Sequence, residues 1–280
     1  MTTDTLSPLV PTDWLDKNID DPKLVIIDIR EHDEYAAGHI PKAIHVPSTS
    51  FIVTRGEFLH ELPEVDDLLN TIGSAGIKND SKVVVVNKAD NPFALADTAK
   101  VACMLLYAGL ANVAILNGGY DKWVREGKSV SDGDVKPEAT EYRAKINDAV
   151  FASKEYVQQK LGKSIIIDGR DPDAFFGVIQ EPWAKKLGHI PGATCLPVPW
   201  LYTEEGTYKN IEELREMAAS IAGNDTSREI ITYCGVGGYA SALYYLLARI
   251  LGYKNVRIYN GATQEWTRDP KAPVVKYRWD

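Results

Sequence analysis

Cysteine is scarce in this chain, long apolar runs are missing, and positive charge is outnumbered. Three cysteines occur in 280 residues: Cys103, Cys195 and Cys234. An odd number without short metal-ligand spacing argues against a disulfide framework and a zinc site, and for free thiols in a reducing compartment. No apolar stretch reaches the roughly 20 residues that a membrane span needs. The opening MTTDTLSPLV has neither the basic nor the apolar segment of a secretory signal, so a cytoplasmic location away from membranes is expected. Lys and Arg number 31 against 39 Asp and Glu, a formal charge of -8 and a pI near 5.2. A nucleic-acid binder needs a basic face to neutralise phosphates, and that class is excluded. What is present is ordinary globular composition, 45% hydrophobic and 25% charged, in a chain long enough for two domains.

The chain repeats itself. VIIDIREHDEYAAGHIPKAIHVP from Val25 is echoed by IIIDGRDPDAFFG…GHIPGATCLPVP from Ile165, pairing Asp28 with Asp168, Arg30 with Arg170 and the GHIP run at Gly38 with that at Gly188. A second block pairs Gly109 with Gly252, Asn117 with Asn260 and Trp123 with Trp266. Within each copy, apolar runs bounded by turn residues read as buried parallel strands: Val25–Asp28, Val83–Val86 and Val113–Leu116, then Ile165–Asp168, Ile230–Tyr233 and Val256–Tyr259. Between the last two strands of each set, Ala96–Ala108 and Ala240–Leu251 have helical length and spacing. Strand, helix, strand implies right-handed βαβ units. The expected fold is α/β, two related domains at 1–130 and 148–280, each a parallel sheet flanked by helices on both faces. The polar, turn-rich stretch 131–147 is expected as the linker.

The copies are unequally equipped. The second is ten residues longer between its Asp and the GHIP turn, and that insert includes Gln180-Glu181-Pro182-Trp183-Ala184-Lys185-Lys186. Where the first copy has Asn87-Lys88-Ala89-Asp90-Asn91, the second has Cys234-Gly235-Val236-Gly237-Gly238. Cys234 thus falls beyond the carboxyl end of a strand, where open parallel sheets bind ligands. The glycines that follow permit φ values that turn backbone N–H groups inward on an anion. With Tyr239 and Ala240 completing the loop, those donors are expected to favour the thiolate. A small buried core residue is the plain alternative for a free cysteine, and it is the reading adopted for Cys103 and Cys195.

The paired DxR…GHIPGA blocks, the Cys-glycine loop and the C-terminal NGATQEW segment resemble the tandem rhodanese family of sulfurtransferases, over nearly the whole chain. The resemblance implies a catalytic second domain and a silent first one. It also implies transfer of a sulfane sulfur from a small anionic donor, thiosulfate or 3-mercaptopyruvate, through a Cys234 persulfide to cyanide, a thiol or a thioredoxin-like acceptor. No metal or cofactor is implied. Gly235 and Val236 stand where thiosulfate enzymes place Arg and Lys, so the loop is closer to the mercaptopyruvate type, although that type has Ser or Thr where Val236 stands. The arginines of that type fall on Ala174 and Trp183, with Lys185 and Lys186 nearby as substitute cations. Phe58–Pro63 resembles the segment that delivers a triad histidine, making His60 a candidate whose triad partners are missing. Two other readings stand beside this one: a persulfide carrier or docking module for a protein partner, and a cysteine phosphatase or arsenate reductase. The last needs an Arg six residues after the cysteine, and Ala240 is there.

Overall fold

The computed structural model describes residues 5–279. Twelve strands are found among them: β1 (Leu9–Val10), β2 (Leu24–Asp28), β3 (Ile44–His45), β4 (Val53–Arg55), β5 (Phe58–Glu61), β6 (Lys82–Val86), β7 (Val113–Leu116), β8 (Phe151–Ala152), β9 (Ile165–Asp168), β10 (Ala193–Cys195), β11 (Glu229–Tyr233) and β12 (Asn255–Tyr259). They form a five-stranded sheet ordered β1-β7-β6-β2-β3, a second ordered β8-β12-β11-β9-β10, and the β4-β5 hairpin. Pairing in both large sheets is parallel throughout. The two orders are the same when the copies are overlaid strand by strand, so the repeat in sequence is a repeat in topology. The central strands explain why the pattern is readable. Val83, Val84, Val85 and Val86 are all fully buried, because a parallel sheet with helices on both faces needs apolar side chains on both sides of the strand.

Two compact units result. The first comprises the chain up to Ile52, Pro63–Asn147 and Glu204–Tyr208; the second comprises Val53–Leu62, Asp148–Thr203 and the chain from Lys209. The hairpin β4-β5 therefore belongs with the second sheet, and a short piece of the second half belongs with the first. The polar segment 131–147 is held on the first unit, where Thr140 N donates to the Gly73 carbonyl at 2.8 Å and the Tyr142 hydroxyl to that of Ala108 at 3.0 Å. The helix read at Ala96 begins earlier, at Pro92, and runs to Tyr107. Asn91 caps it, its side chain accepting from Phe93 N and Ala94 N, and proline at the first position needs no N–H partner. The second-copy helix spans Gly238–Tyr244 and continues as a π-helical stretch, Tyr245–Ile250. Among the described residues, no helix is long and apolar enough to cross a membrane.

The paired residues of the repeat form paired networks. Arg30 donates to the Asp28 carboxylate at 2.6 Å and to the Gly38 carbonyl at 2.8 Å; Arg170 does the same to Asp168 at 2.7 Å and Gly188 at 2.9 Å. His39 stacks on Tyr35 at 4.0 Å and His189 on Phe175 at 3.8 Å. The indoles of Trp123 and Trp266 each donate at 2.8 Å to a carbonyl just downstream, Ser129 and Pro273. In each copy the arginine ties the turn after β2 or β9 to the GHIP turn, at the carboxyl edge of the sheet.

Candidate active site

Strand β11 delivers Cys234 to that edge. Thr232 and Tyr233 are fully buried, Cys234 is 3% exposed, and the loop then turns back into the helix at Gly238. Gly237 N donates to Cys234 Sγ at 3.1 Å. The N–H groups of Ala240, Gly237 and Val236 all act to stabilise the charged sulfur. Gly237 is glycine for two reasons: its φ is +98°, and a Cβ there would lie 2.6 Å from Asn260 Oδ1. At Gly235 a Cβ would overlap the Trp183 indole. The loop is braced from behind as well. Thr263 N donates to the Cys234 carbonyl at 2.9 Å and Gln264 N to that of Gly235 at 3.2 Å.

The expected lowering of the thiol does not follow from this collar. Burial pushes the Cys234 thiol up and outweighs the three N–H groups, and the Glu181 carboxylate pushes in the same direction. Inward donors were readable from the glycines. The dehydration of the sulfur was not, since it depends on what the insert and the neighbouring helix lay over it.

Other sequence candidates fall in different places. Trp183 lies on the loop at Gly235. Lys185 is exposed, with its Nζ 3.7 Å from Glu57 Oε2. Lys186 turns its ammonium to three main-chain carbonyls, Asp269 at 2.6 Å, Ala272 at 2.8 Å and Pro270 at 3.3 Å. His60, on β5, has φ +55° and presents its carbonyl to Asn260 Nδ2 at 3.2 Å. The hairpin is held there by Gln264, whose amide exchanges two bonds with Leu59, at 2.9 and 2.8 Å. Asn260 thereby touches both the hairpin and the cysteine loop. Of the remaining thiols, Cys103 is fully buried on its helix. Cys195 donates to the Arg170 carbonyl at 3.4 Å, and burial pushes it up to about 12.

Glu181, inside the second-copy insert, is a residue of this region that no pattern in the sequence singles out. Its Oε2 lies 3.1 Å from Arg170 Nη1. Burial, and secondarily the charge of Asp168, push its carboxyl up, while Arg170 and the nearby Trp183 indole pull it down. That indole N–H is buried but falls short of full hydrogen-bond geometry.

In the first unit the matching loop is filled by its own side chains. Asn87, at the cysteine position, donates through Nδ2 to the Ala94 carbonyl at 2.9 Å, and Asn91 Oδ1 takes the Phe93 and Ala94 N–H groups at 2.9 and 3.0 Å.

A duplicated parallel α/β fold, with a thiol facing inward main-chain donors in one copy and an asparagine in its place in the other, defines a two-domain α/β protein. The rhodanese-like domain matches residues 11–126 and 153–269, and the chain belongs to the rhodanese family of sulfurtransferases. A "Putative thiosulfate sulfurtransferase" of Mycolicibacterium smegmatis is 31% identical over 95% of this chain and 96% of its own. "Sulfur carrier protein TtuD" of Thermus thermophilus is 28% identical over 96% of both chains. Among solved structures, EanB in a cysteine-persulfide state with ergothioneine superposes with a TM-score of 0.85 at 23% identity, over 96% of this chain and 70% of that one, a likeness of fold.

Proposed function

We propose that this chain moves a sulfane sulfur through a persulfide on Cys234, from a small anionic donor to a thiophilic acceptor, with the first unit catalytically silent. The observation that carries the reading is the Gly237 N–H aimed at Cys234 Sγ at 3.1 Å in a loop whose Val236 and Ala240 N–H groups act on the same sulfur. In the first half-reaction the Cys234 thiolate attacks the donor's sulfur. With thiosulfate, a new S–S bond forms, the old one breaks, and its electron pair leaves with sulfite. With 3-mercaptopyruvate, the C–S bond breaks, its pair passes to carbon, and a proton from the thiols completes pyruvate. An acceptor (cyanide, a small thiol or a thioredoxin-like dithiol) then attacks the outer sulfur and the Cys234 thiolate departs. The loop N–H groups hold negative sulfur in both states, with Trp183 walling the loop at Gly235.

Intact mass spectrometry after incubation with each donor tests this directly. Gain of one sulfur atom on Cys234, removed by cyanide as thiocyanate, is the expected result. An unloaded Cys234 with both donors sinks the proposal. A second reading, a sulfur carrier that serves a protein partner, is favoured by the depth of the thiol and its raised pKa, and by the carrier name of the Thermus relative. A stable Cys234 persulfide that cyanide scarcely turns over supports the carrier.

A further inference from the structure

The ten-residue insert of the second copy brings a carboxylate toward the sulfur. Arg170 already binds both oxygens of Asp168, Nε to Oδ1 at 3.0 Å and Nη2 to Oδ2 at 2.7 Å, and its Nη1 takes Glu181 Oε2 at 3.1 Å. One guanidinium therefore serves two carboxylates, and the cluster carries net negative charge. In the first copy the same arginine, Arg30, pairs with Asp28 and lays its guanidinium on the Tyr120 ring, 3.6 Å from the centroid. Glu181 is held in place by its own turn. Ala184 N donates to the Glu181 carbonyl at 3.0 Å, Gln180 Nε2 to that of Ala184 at 2.7 Å, and Arg268 Nη1 to that of Trp183 at 2.9 Å. Two residues on, the Trp183 indole seats against Gly235, next to Cys234. The Glu181 carboxylate adds to burial in opposing ionisation of the Cys234 thiol, and its charge reaches the Tyr239 phenol as well.

We infer that Glu181 is a specificity-determining residue that ranks sulfur donors by charge, holding back the dianion thiosulfate relative to the monoanion 3-mercaptopyruvate. The inference rests on the persulfide reading of Cys234 and adds to it a charge filter built from the insert. A carboxylate in a desolvated site repels a second negative charge much more than one in water does. The filter weakens on acidification, because burial raises the Glu181 carboxyl and makes it easier to protonate. Arg170 holds its Oε2 and Trp183 stands on its own turn, while the charge of Asp168 at the end of β9 acts on it and its own charge acts on Cys234 and Tyr239 beyond β11. Of these, Arg170 stays cationic, its pKa raised well above the ordinary value by Asp168 against the pull of burial.

The test compares kcat/KM for both donors in the wild type and Glu181→Gln, from about pH 5 to 8, with cyanide as acceptor. Removing the charge is expected to lower the thiosulfate KM about tenfold and the mercaptopyruvate KM about threefold or less, so that the preference for mercaptopyruvate narrows. The wild-type donor ratio should shift toward thiosulfate as pH falls, and the Glu181→Gln ratio should stay flat. Taking a ratio cancels the ionisation of Cys234, which enters both reactions. An unchanged ratio in a folded, sulfur-loaded Glu181→Gln protein overturns the filter. Should that variant fail to fold, Glu181→Ala carries the same comparison, and an unchanged donor ratio there overturns the filter equally. Failure of the wild type to load sulfur from either donor overturns the persulfide reading instead, and is seen separately by mass.

Discussion

The sulfur at position 234 sits between opposed influences: three main-chain N–H groups favour its anion, while burial and the Glu181 carboxylate oppose it. A thiol in that balance reacts only where the charge it gains is shared with the loop, which separates it from its two fellows. Cys234→Ser is expected to abolish sulfur loading and thiocyanate release, while Cys103→Ser and Cys195→Ser retain most of both. Comparable loss in either of the latter would break the single-thiol account. Asp97 shows the same competition without a rescuer. On the helix Pro92–Tyr107, burial raises its carboxyl to about 6 against a weak pull from Lys100. A folded value above the unfolded 3.8 means the proton binds the native state more tightly. The stabilisation is full below about pH 4, fades as pH rises through about 6, and leaves an ionised, poorly solvated carboxylate at neutral pH. Asp97→Asn should therefore gain about 1–2 kcal/mol over wild type at neutral pH, with the gain shrinking as pH drops to about 4, read from urea melts across that range.

The cysteine loop depends on backbone shape more than on any one side chain. Gly237 combines φ +98° with the close approach of Asn260 Oδ1, whereas Gly192, at φ +75°, has open space where a Cβ would go. Both alanine variants should lose stability through backbone strain, on the order of 1–3 kcal/mol each. Only Gly237→Ala should also lose sulfur loading, because the Asn260 overlap displaces the N–H that faces the sulfur. Loading that survives in Gly237→Ala would remove the loop from the mechanism. The insert is a second element with divided roles. Lys186 ties it to the carbonyls of Asp269, Pro270 and Ala272, so Lys186→Met is expected to lower stability by about 1–3 kcal/mol with little change in donor KM. A raised KM at unchanged stability would return Lys186 to substrate binding.

At the scale of the molecule, one topology has been used twice and armed once. The first unit keeps the strand order and the Asp-Arg and His-aromatic networks, yet its loop and helix-start N–H groups are taken by the side chains of Asn87, Asp121 and Asn91, and its cysteine position is an asparagine bonded to Ala94. On the proposed reading, in which this unit is silent, restoring the thiol alone should not make it active. In a Cys234→Ser background, Asn87→Cys is expected to gain no persulfide from either donor, as measured by intact mass. A sulfur adduct at position 87 would show that the side-chain plug is no barrier.

By itself the sequence determined the duplicated α/β architecture, the inner strands and the place of the candidate thiol, because each follows from local rules: continuous β-branched runs for doubly covered strands, glycine density for a loop of inward N–H groups, an unmatched cysteine between two otherwise paired blocks. Edge strands β1, β3, β8 and β10, two or three residues each, left no periodicity to read. Only the tertiary structure assigned the hairpin β4-β5 to the second sheet and turned Lys186 toward carbonyls. It also set Glu181 among the groups acting on the sulfur and decided the direction in which the Cys234 thiol is shifted. Those outcomes turn on burial and on charges brought together from distant positions, and a solvated acid in a polar insert looks the same in sequence as a half-buried one paired with an arginine.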